Sequence, residues 1–557
     1  MENVKIFSLG GLDENGKWMY IVEINDDIFV LDAGSKKPEQ SMPGIEYILP
    51  DFSYLIENKN KVKAIFITQP IDEALCAVPR LLEAVHAPIY TSRIGRYYIT
   101  KNAKLFNVDL VNTVWNIVEI NAYIQIAGHK IAIFGTTTSL PYSFGVAVHT
   151  NQGYITYASS FFFDFSAEPG FKTDLPFLAD IAREKVLLSF IDSKNCHTVG
   201  FTSPNHKITS LIRDEFETDN RLIFGLFSKD IFRFNEIVKL AVDFKKKILL
   251  YSRSQRNEIN DFIKQNIIYY PEDLFVDFDY TVKHQDYIII LAGEYRHLYR
   301  ELFRLQQGNA EKNLFLSEND TIIVINTDNL GYEKNISDAL DELYKSPAKI
   351  KAFGKKEIIK LEASQEDIKL MLKLLNPKYI VPINAEYKNL YENCQLIFEQ
   401  LMISPTQIIL MVDPSNPEEI IQEHFRDGER VFVQEKPLKV TDNFVDGYGF
   451  GEAGNTVLFE RKKLYNSGVV ILGVGIDKKN KTINTSIDIQ MRGFIFVKMG
   501  ADLNRDLEAI VNQAVVEVNT SGWNLEYLKE IIISRFKHRI YKFNKKEPVI
   551  IPCIVEN

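Results

Sequence analysis

Cysteine is scarce in this chain. Only Cys76, Cys196, Cys394 and Cys553 occur in 557 residues, and no two form a CxxC pair. That argues against a zinc ribbon and a disulfide framework, and predicts buried apolar thiols. The nine histidines form no H-x-H or H-x3-H pair, so no local histidine metal motif is present. No apolar run approaches the roughly 20 residues that a membrane span needs. The N-terminus shows no basic-apolar-small leader pattern, so a soluble cytoplasmic protein is expected. Positive charge is in deficit: 65 Lys and Arg against 74 Asp and Glu give a net charge of −9. This disfavours non-specific nucleic-acid binding, which is mostly phosphate neutralisation. It does not exclude a local basic groove, because net charge does not say where charges sit. Phosphate-binding G-x-x-x-x-G-K-[ST] loops and H-E-x-x-H helices are absent too.

What is present is an ordinary globular composition, 46% apolar, 25% charged and 12% aromatic, with length for three or four domains. Residues 1–205 read as short β-branched and aromatic strands such as Ile28-Phe29-Val30-Leu31, with helical stretches near 75–85 and 93–103. From 206 to 351, strands such as Leu222-Ile223-Phe224 alternate with helical runs, which predicts a parallel sheet covered by helices. The sandwich-like pattern returns over 352–440. A glycine-containing stretch, 441–454, reads as a linker. Residues 455–557 read as a small α+β domain, with strand-like runs at 467–476, 482–489 and 493–498, helices at 502–518 and 524–538, and a last strand at Val549-Ile550-Ile551. Among the arginines, Arg253, Arg296 and Arg300 fall in or beside the βα turns of the inserted segment.

Several segments are more specific. They are Phe7-Ser8-Leu9-Gly10-Gly11-Leu12, Ile28-Phe29-Val30-Leu31-Asp32-Ala33-Gly34, Ile48-Leu49-Pro50-Asp51-Phe52, the stretch Gly447 to Gly454, Ile476-Asp477-Lys478-Lys479, Arg492-Gly493-Phe494 and Pro548-Val549-Ile550-Ile551-Pro552. Together they resemble bacterial ribonuclease J, of the β-CASP branch of the metallo-β-lactamase superfamily. The resemblance implies an α/β fold: a metallo-β-lactamase αββα sandwich (1–205 and 352–440), an inserted β-CASP α/β domain (206–351), and a C-terminal α+β oligomerisation domain (455–557).

The resemblance also implies two zinc ions, held by an H-x-H-x-D-H loop and three further ligands. The corresponding loop here is Thr68-Gln69-Pro70-Ile71-Asp72-Glu73-Ala74, whose ligand positions read Gln69, Ile71, Glu73 and Ala74. The later ligand positions read Thr138, Ser160 and Asn384. No imidazole and one carboxylate remain, so no catalytic residue and no cofactor are expected. Asp32, in a D-x-G pattern, is expected to orient the loop through backbone N–H groups. Glu73 is expected to favour the start of the helix after the loop. The segment resembling S-G-H-A-S, a phosphate pocket in the family, reads Lys360-Leu361-Glu362-Ala363-Ser364. There Leu361 obstructs close backbone approach, Glu362 repels phosphate, and Ser364 is placed to cap a helix. Asp192-Ser193-Lys194-Asn195 resembles the family's S-D-S-T-N loop. In Ser228-Lys229-Asp230-Ile231-Phe232-Arg233, Phe232 stands where the family has histidine.

The leading expectation is a catalytically inactive ribonuclease J-like subunit. It would associate with an active ribonuclease J paralogue in RNA decay and processing, oligomerise through the C-terminal domain, and have RNA as a second candidate partner. Two alternatives stand beside it: a weakly active 5′-3′ exo/endoribonuclease using a loosely held Mg²⁺ or Mn²⁺, and an RNA-binding clamp without cleavage.

Overall fold

The structure, a computed structural model, describes all residues except 1, 40–41, 272, 277–286, 295, 308–314, 326–332, 417–418, 436–437, 440, 448, 452–454 and 494–499. It divides into two compact units. The first comprises residues 1–36 and 49–442, the second 37–48 and 443–557.

Two facing sheets make the centre of the first unit. Among the described residues, one sheet has eight strands, in the order Glu429–Val431, Glu423–Arg426, Asn3–Gly10, Met19–Ile24, Asp27–Leu31, Val62–Ile67, Ile89–Thr91 and Trp115–Ile117. The other has six, in the order Tyr379–Ile383, Val186–Asp192, Gly153–Ala158, Phe144–Thr150, His129–Gly135 and Ala122–Ile126. Val22, Phe29 and Phe66 from the first sheet meet Ile133, Val146, Leu188 and Val381 from the second in one buried core. Helices cover the outer faces. Helices Leu175–Arg183, Gln365–Leu375 and Tyr387–Leu401 contribute Leu178, Met371 and Ile397 to a second core behind the six-stranded sheet. With both faces covered, the inner strands are buried along their whole length, as in Gly153–Ala158, where every residue is buried. This is the expected αββα sandwich.

The inserted α/β domain carries a six-stranded parallel sheet in the order Phe275–Val276, Lys247–Leu250, Tyr287–Gly293, Arg221–Phe227, Asp320–Ile325 and Lys349–Phe353. Helices Ile231–Asp243, Arg253–Lys264, Arg296–Gln306 and Glu333–Leu343 alternate with its strands. In the second unit, helices Gly500–Ser521 and Leu525–Asn544 pack Leu507, Val511, Ile532 and Phe536 onto a sheet of Asp488–Arg492, Val469–Ile476 and Val549–Glu556.

Some local expectations differ from what is observed. The helical run near 75–85 is two short helices, Asp72–Leu75 and Val78–Ala84. Between them the Ala77 N–H donates to Ala33 O (3.0 Å), and Pro79 sits in the first turn of the second. Within the predicted linker 441–454, Asn443–Asp446 and Gly449–Gly451 pair as a hairpin. The Glu46 N–H donates to Val445 O at 2.9 Å, so residues 37–48 join this unit rather than the first. In 482–489 the strand begins only at Asp488, preceded by an isolated bridge at Ile483. The run 493–498 lies almost wholly outside the described residues, as does part of 441–454. Cys76 and Cys196 are buried, Cys394 is half-buried, and Cys553 is exposed on the outward face of the last strand.

Candidate functional site

Strands Asp27–Leu31, Val62–Ile67, Gly153–Ala158, Val186–Asp192 and Tyr379–Ile383 run so that their C-terminal ends meet at one edge of the sandwich. The loops that follow them bring most of the sequence-predicted positions together.

Asp32 is fully buried and holds a left-handed backbone (φ +60°), a conformation that Asp and Asn tolerate better than most side chains. Its Oδ1 accepts from the Thr68 N–H at 2.7 Å, and Oδ2 accepts from the Thr68 hydroxyl (2.8 Å) and the Tyr157 hydroxyl (2.7 Å). This clamps the first residue of the loop to the strand beside it. Burial raises the Asp32 carboxyl to about 7, against the pull of these donors. Gly34 lets the loop close on it: a Cβ there would lie 1.6 Å from Glu73 O.

The neutral residues at the expected ligand positions are engaged with protein partners. Gln69 Nε2 donates to Ser159 Oγ and to Ser160 O, both at 3.1 Å. Asn384, also left-handed (φ +66°) and fully buried, donates from Nδ2 to Ser159 O (2.5 Å). Its Oδ1 lies 2.8 Å from the Tyr20 hydroxyl. Thr138 Oγ1 bonds Ser143 Oγ (2.8 Å) and Leu140 O (3.1 Å). Ser160 is buried and offers its carbonyl to Gln69. Ala74 is part of the central core, and Ile71 packs against it. Glu73 lies in the first turn of a helix only four residues long, too short to carry much dipole; its carbonyl accepts from the Trp18 N–H at 3.0 Å.

Charge at this edge centres on Lys194. Its side chain is 18% exposed. Its ammonium lies 3.2 Å from Glu362 Oε1, 3.8 Å from Asp192 Oδ2, and 4.5 Å from the centre of the Trp18 ring. Burial opposes its charge, but Asp192, Glu362 and Glu73 outweigh burial and raise its pKa. Burial likewise disfavours charge on Glu362, yet Lys194 and Lys360 hold that carboxyl below its usual range. Asp192 is pushed up to about 7, by burial first, with Lys194 pulling the other way.

The pocket resembling a phosphate site is closed by its own side chains. Leu361 and Ala363 are buried, and the Thr202 hydroxyl donates to Glu362 O (2.6 Å). Ser364 is the N-cap of helix Gln365–Leu375, and its N–H donates to Asp367 Oδ2 at 3.1 Å, part of a capping box. Lys360 contributes its charge to Glu362 from the rim. On the other side, the inserted domain grips the loop. Lys229 pairs with Asp72 (2.8 Å) and Glu294 (3.5 Å) and faces the Tyr98 ring at 5.0 Å. The Phe232 N–H donates to Ser139 O (3.0 Å), while its ring meets Phe162, Phe171 and His206 edge-on. Arg253 opens helix Arg253–Lys264 and Arg300 pairs weakly with Glu301 (3.8 Å); the Arg296 side chain lies outside the described residues.

Residues 219–343 match the Ribonuclease J, beta-CASP domain model, and residues 456–557 match the Ribonuclease J C-terminal domain model. The whole chain is 30% identical over 560 residues to Ribonuclease J 2 of Staphylococcus aureus (strain NCTC 8325 / PS 47), covering 100% of this chain and 98% of that protein. The chain belongs to the ribonuclease J family. Ribonuclease J 2 of Staphylococcus saprophyticus is similar to the same degree, 30% over 560 residues with the same coverage. A solved structure from Enterococcus faecalis V583, of a protein of unknown function, aligns at a TM-score of 0.48 and 14% identity over 69% of this chain and 94% of its own, too loose a likeness to carry an argument.

Family membership makes the fit of two zinc ions a physical question. Zinc sites are built from thiolate, imidazole and carboxylate donors. The expected ligand positions here supply two amides, two hydroxyls, two hydrocarbon side chains and one carboxylate. Among the described residues, no three His, Cys, Asp or Glu side chains converge to hold a metal ion. The residues present do not fit the ion pair. Lys194, at the centre of the charge cluster, is not among the positions that the family motif singles out. The available signal was a basic and an acidic side chain, Lys194 and Glu362, each standing where the family pattern has another residue.

Proposed function

We propose that this chain is a non-catalytic subunit of ribonuclease J type that associates with an active paralogue in RNA decay and processing. The observation that carries the reading is the Lys194 ammonium, seated between Glu362 and Asp192 and over Trp18. The family site needs a concentrated positive charge to polarise phosphate and activate water. Here a fixed amine serves the surrounding carboxylates instead. An ammonium offers no coordination position for water and cannot act on it as a Lewis acid. A cation so placed, with carboxylates on both sides, stabilises a folded pocket and is poorly suited to turnover.

The assembly part of the proposal draws on the second unit. Its helices cover one face of the three-stranded sheet. On the other face Ile471 pairs with Ile551, Gly473 with Cys553 and Gly475 with Val555. Ile471, Ile551 and Val555 are 38%, 43% and 57% exposed. Apolar side chains grouped in this way favour a partner surface over water. Two experiments test the proposal. The purified chain is assayed on 5′-monophosphorylated RNA, and the protein is isolated from its native cell with whatever it carries. The expectation is no turnover and recovery of a homologue with intact metal ligands. Turnover abolished by Glu73→Ala would overturn the non-catalytic reading. A chain that runs alone at cellular concentration would overturn the assembly reading.

A further inference from the structure

Away from this pocket, a groove of about 820 Å³ runs between helix Arg93–Leu105 of the sandwich and helix Arg253–Lys264 of the inserted domain. It shares no lining residue with the site described above. Part of its wall already serves the fold. Lys101 pairs with Glu258 (2.7 Å), and Tyr97 donates its hydroxyl to Asp261 (3.4 Å) and packs edge-on against Phe262. Arg93, Arg96 and Lys104 differ. All three line the groove, are exposed, and have no ion-pair partner among the described residues. Arg93 makes one long contact to Gln265 O (3.5 Å), and Arg96 rests over the Trp115 ring at 5.2 Å. The three share one helix face. At ~1.5 Å per residue, Arg96 lies about 4.5 Å along the axis from Arg93, and Lys104 about 12 Å further.

An open strand edge borders the same groove. Ile117, another lining residue, ends strand Trp115–Ile117, the last of the eight-stranded sheet. That strand pairs in parallel with Ile89–Thr91 on one side and, among the described residues, with no strand on the other. The Ile89 N–H donates to Val114 O, and the Val118 N–H to Thr91 O, so positions 114, 116 and 118 turn their backbone groups toward the sheet. By the alternation of a parallel ladder, the N–H and C=O of Trp115 and Ile117 point to the open side. Proteins often blunt such edges with lysine, other charges or proline; Trp115-Asn116-Ile117 carries none of these. We propose that the groove and this edge together dock an extended acidic segment of a partner protein. Its backbone pairs with Trp115 and Ile117, and its carboxylates meet Arg93, Arg96 and Lys104. Charge complementarity sets the sign of the partner: a chain of net charge −9 leaves three cations unneutralised here. The edge sets its class, because open N–H and C=O groups in strand register are what a peptide backbone pairs with and a phosphodiester does not. This surface lies apart from the degenerate metal positions, so the inference fails separately from the proposal above.

The test is fluorescence anisotropy of the full chain with a labelled peptide of alternating glutamate and valine, ~10 residues long, titrated at several salt concentrations. Binding that weakens as salt rises is expected. Replacing every glutamate of the peptide by glutamine is expected to weaken it about tenfold or more. In a strand, alternate N–H groups face opposite edges. N-methylation of one alternate set of peptide residues is therefore expected to abolish binding, and of the other set to be tolerated. On the protein, Arg93→Gln, Arg96→Gln and Lys104→Gln combined is expected to weaken binding about tenfold with an unchanged melting temperature, since all three side chains are exposed. Ile117→Pro removes an open-edge donor while sparing the ladder to Ile89–Thr91, and is expected to weaken binding several-fold. No binding by the natural chain, equal binding of the glutamine peptide, tolerance of both N-methylated peptides, or unchanged affinity in the triple variant would overturn the proposal. So would displacement of the peptide by an oligouridylate of equal charge, which would mark the groove as a site for nucleic acid.

Discussion

Replacing Lys194 with methionine removes one charge from a pocket that keeps three acids. Methionine preserves most of the apolar stem that lies against Trp18, so the perturbation is chiefly electrostatic. Deleting one partner of a buried ion pair costs about 3–5 kcal/mol, because the other charge stays behind uncompensated. Lys194 retains 18% exposure and the Asp192 contact is long at 3.8 Å, so the expected loss is about 2–4 kcal/mol. The loss also has a sign with pH. Lys194 holds Glu362 below its usual range. A lowered carboxyl contributes stability that is present above its unfolded pKa and fades as pH falls through its folded one. The variant lacks that contribution. That contribution is in force at both pH 8 and pH 5; the pH difference comes from Asp192, at about 7 in the natural protein, which is ionised at pH 8 and draws on the Lys194 charge but is mostly protonated at pH 5, so the deficit is largest near pH 8 and smaller near pH 5. Urea unfolding followed by circular dichroism at the two pH values measures this. Adding Glu362→Gln to Lys194→Met is expected to recover part of the loss, with a coupling of about 1–3 kcal/mol. A deficit under about 0.5 kcal/mol at pH 8, or strict additivity of the two substitutions, would refute the view that Lys194 neutralises this pocket.

Other outcomes follow from the same geometry. Gly34→Ala puts a carbon 1.6 Å from Glu73 O and is expected to cost about 3 kcal/mol or more, seen as a lower melting temperature or loss of soluble protein; a variant as stable as the natural chain would contradict the tight loop closure. The Asp32 carboxyl, raised to about 7, contributes stability that is complete below its unfolded pKa near 3.8 and lost as pH rises through 7. Asp32→Asn is thus expected to be more damaging at pH 5 than at pH 7, by about 2 kcal/mol, and a difference flat with pH would show the group to be ionised throughout. Lys229→Met and Asp72→Asn are each expected to loosen the inserted domain from the loop, with a coupling of about 1–2 kcal/mol in a double-mutant cycle and faster proteolysis between the domains; independent effects would mean that the 2.8 Å pair does not fasten them.

Much of the architecture was readable along the chain because each element states its own pattern. The β-branched and aromatic run Ile28-Phe29-Val30-Leu31 reads as a strand, and the alternation of strands and helices after Leu222 reads as a parallel sheet with crossovers. The seven degenerate positions were found one at a time against the family motif. What they do instead was not readable, since that depends on partners far apart in sequence. Asn384 spans to Tyr20 and Ser159, and Lys194 to Trp18 and Glu362. Lys194 sits in a loop otherwise close to its family pattern, and nothing local announces that its ammonium faces Glu362 across more than 160 residues. Residues 37–48 carry no sign that they belong with a segment some four hundred residues on; that follows from a backbone hydrogen bond between Glu46 and Val445. The hairpin at 443–451 was hidden by glycines that ordinarily mark a linker.

The most direct test of the central claim is the metal content of the purified chain after incubation with excess Zn²⁺ or Mn²⁺ and exhaustive dialysis. A site lined by Gln69, Ile71, Glu73, Ala74, Thr138, Ser160 and Asn384, with the Lys194 charge beside it, should retain far less than one ion per chain. Two ions retained per chain, and lost on Glu73→Ala, would contradict it.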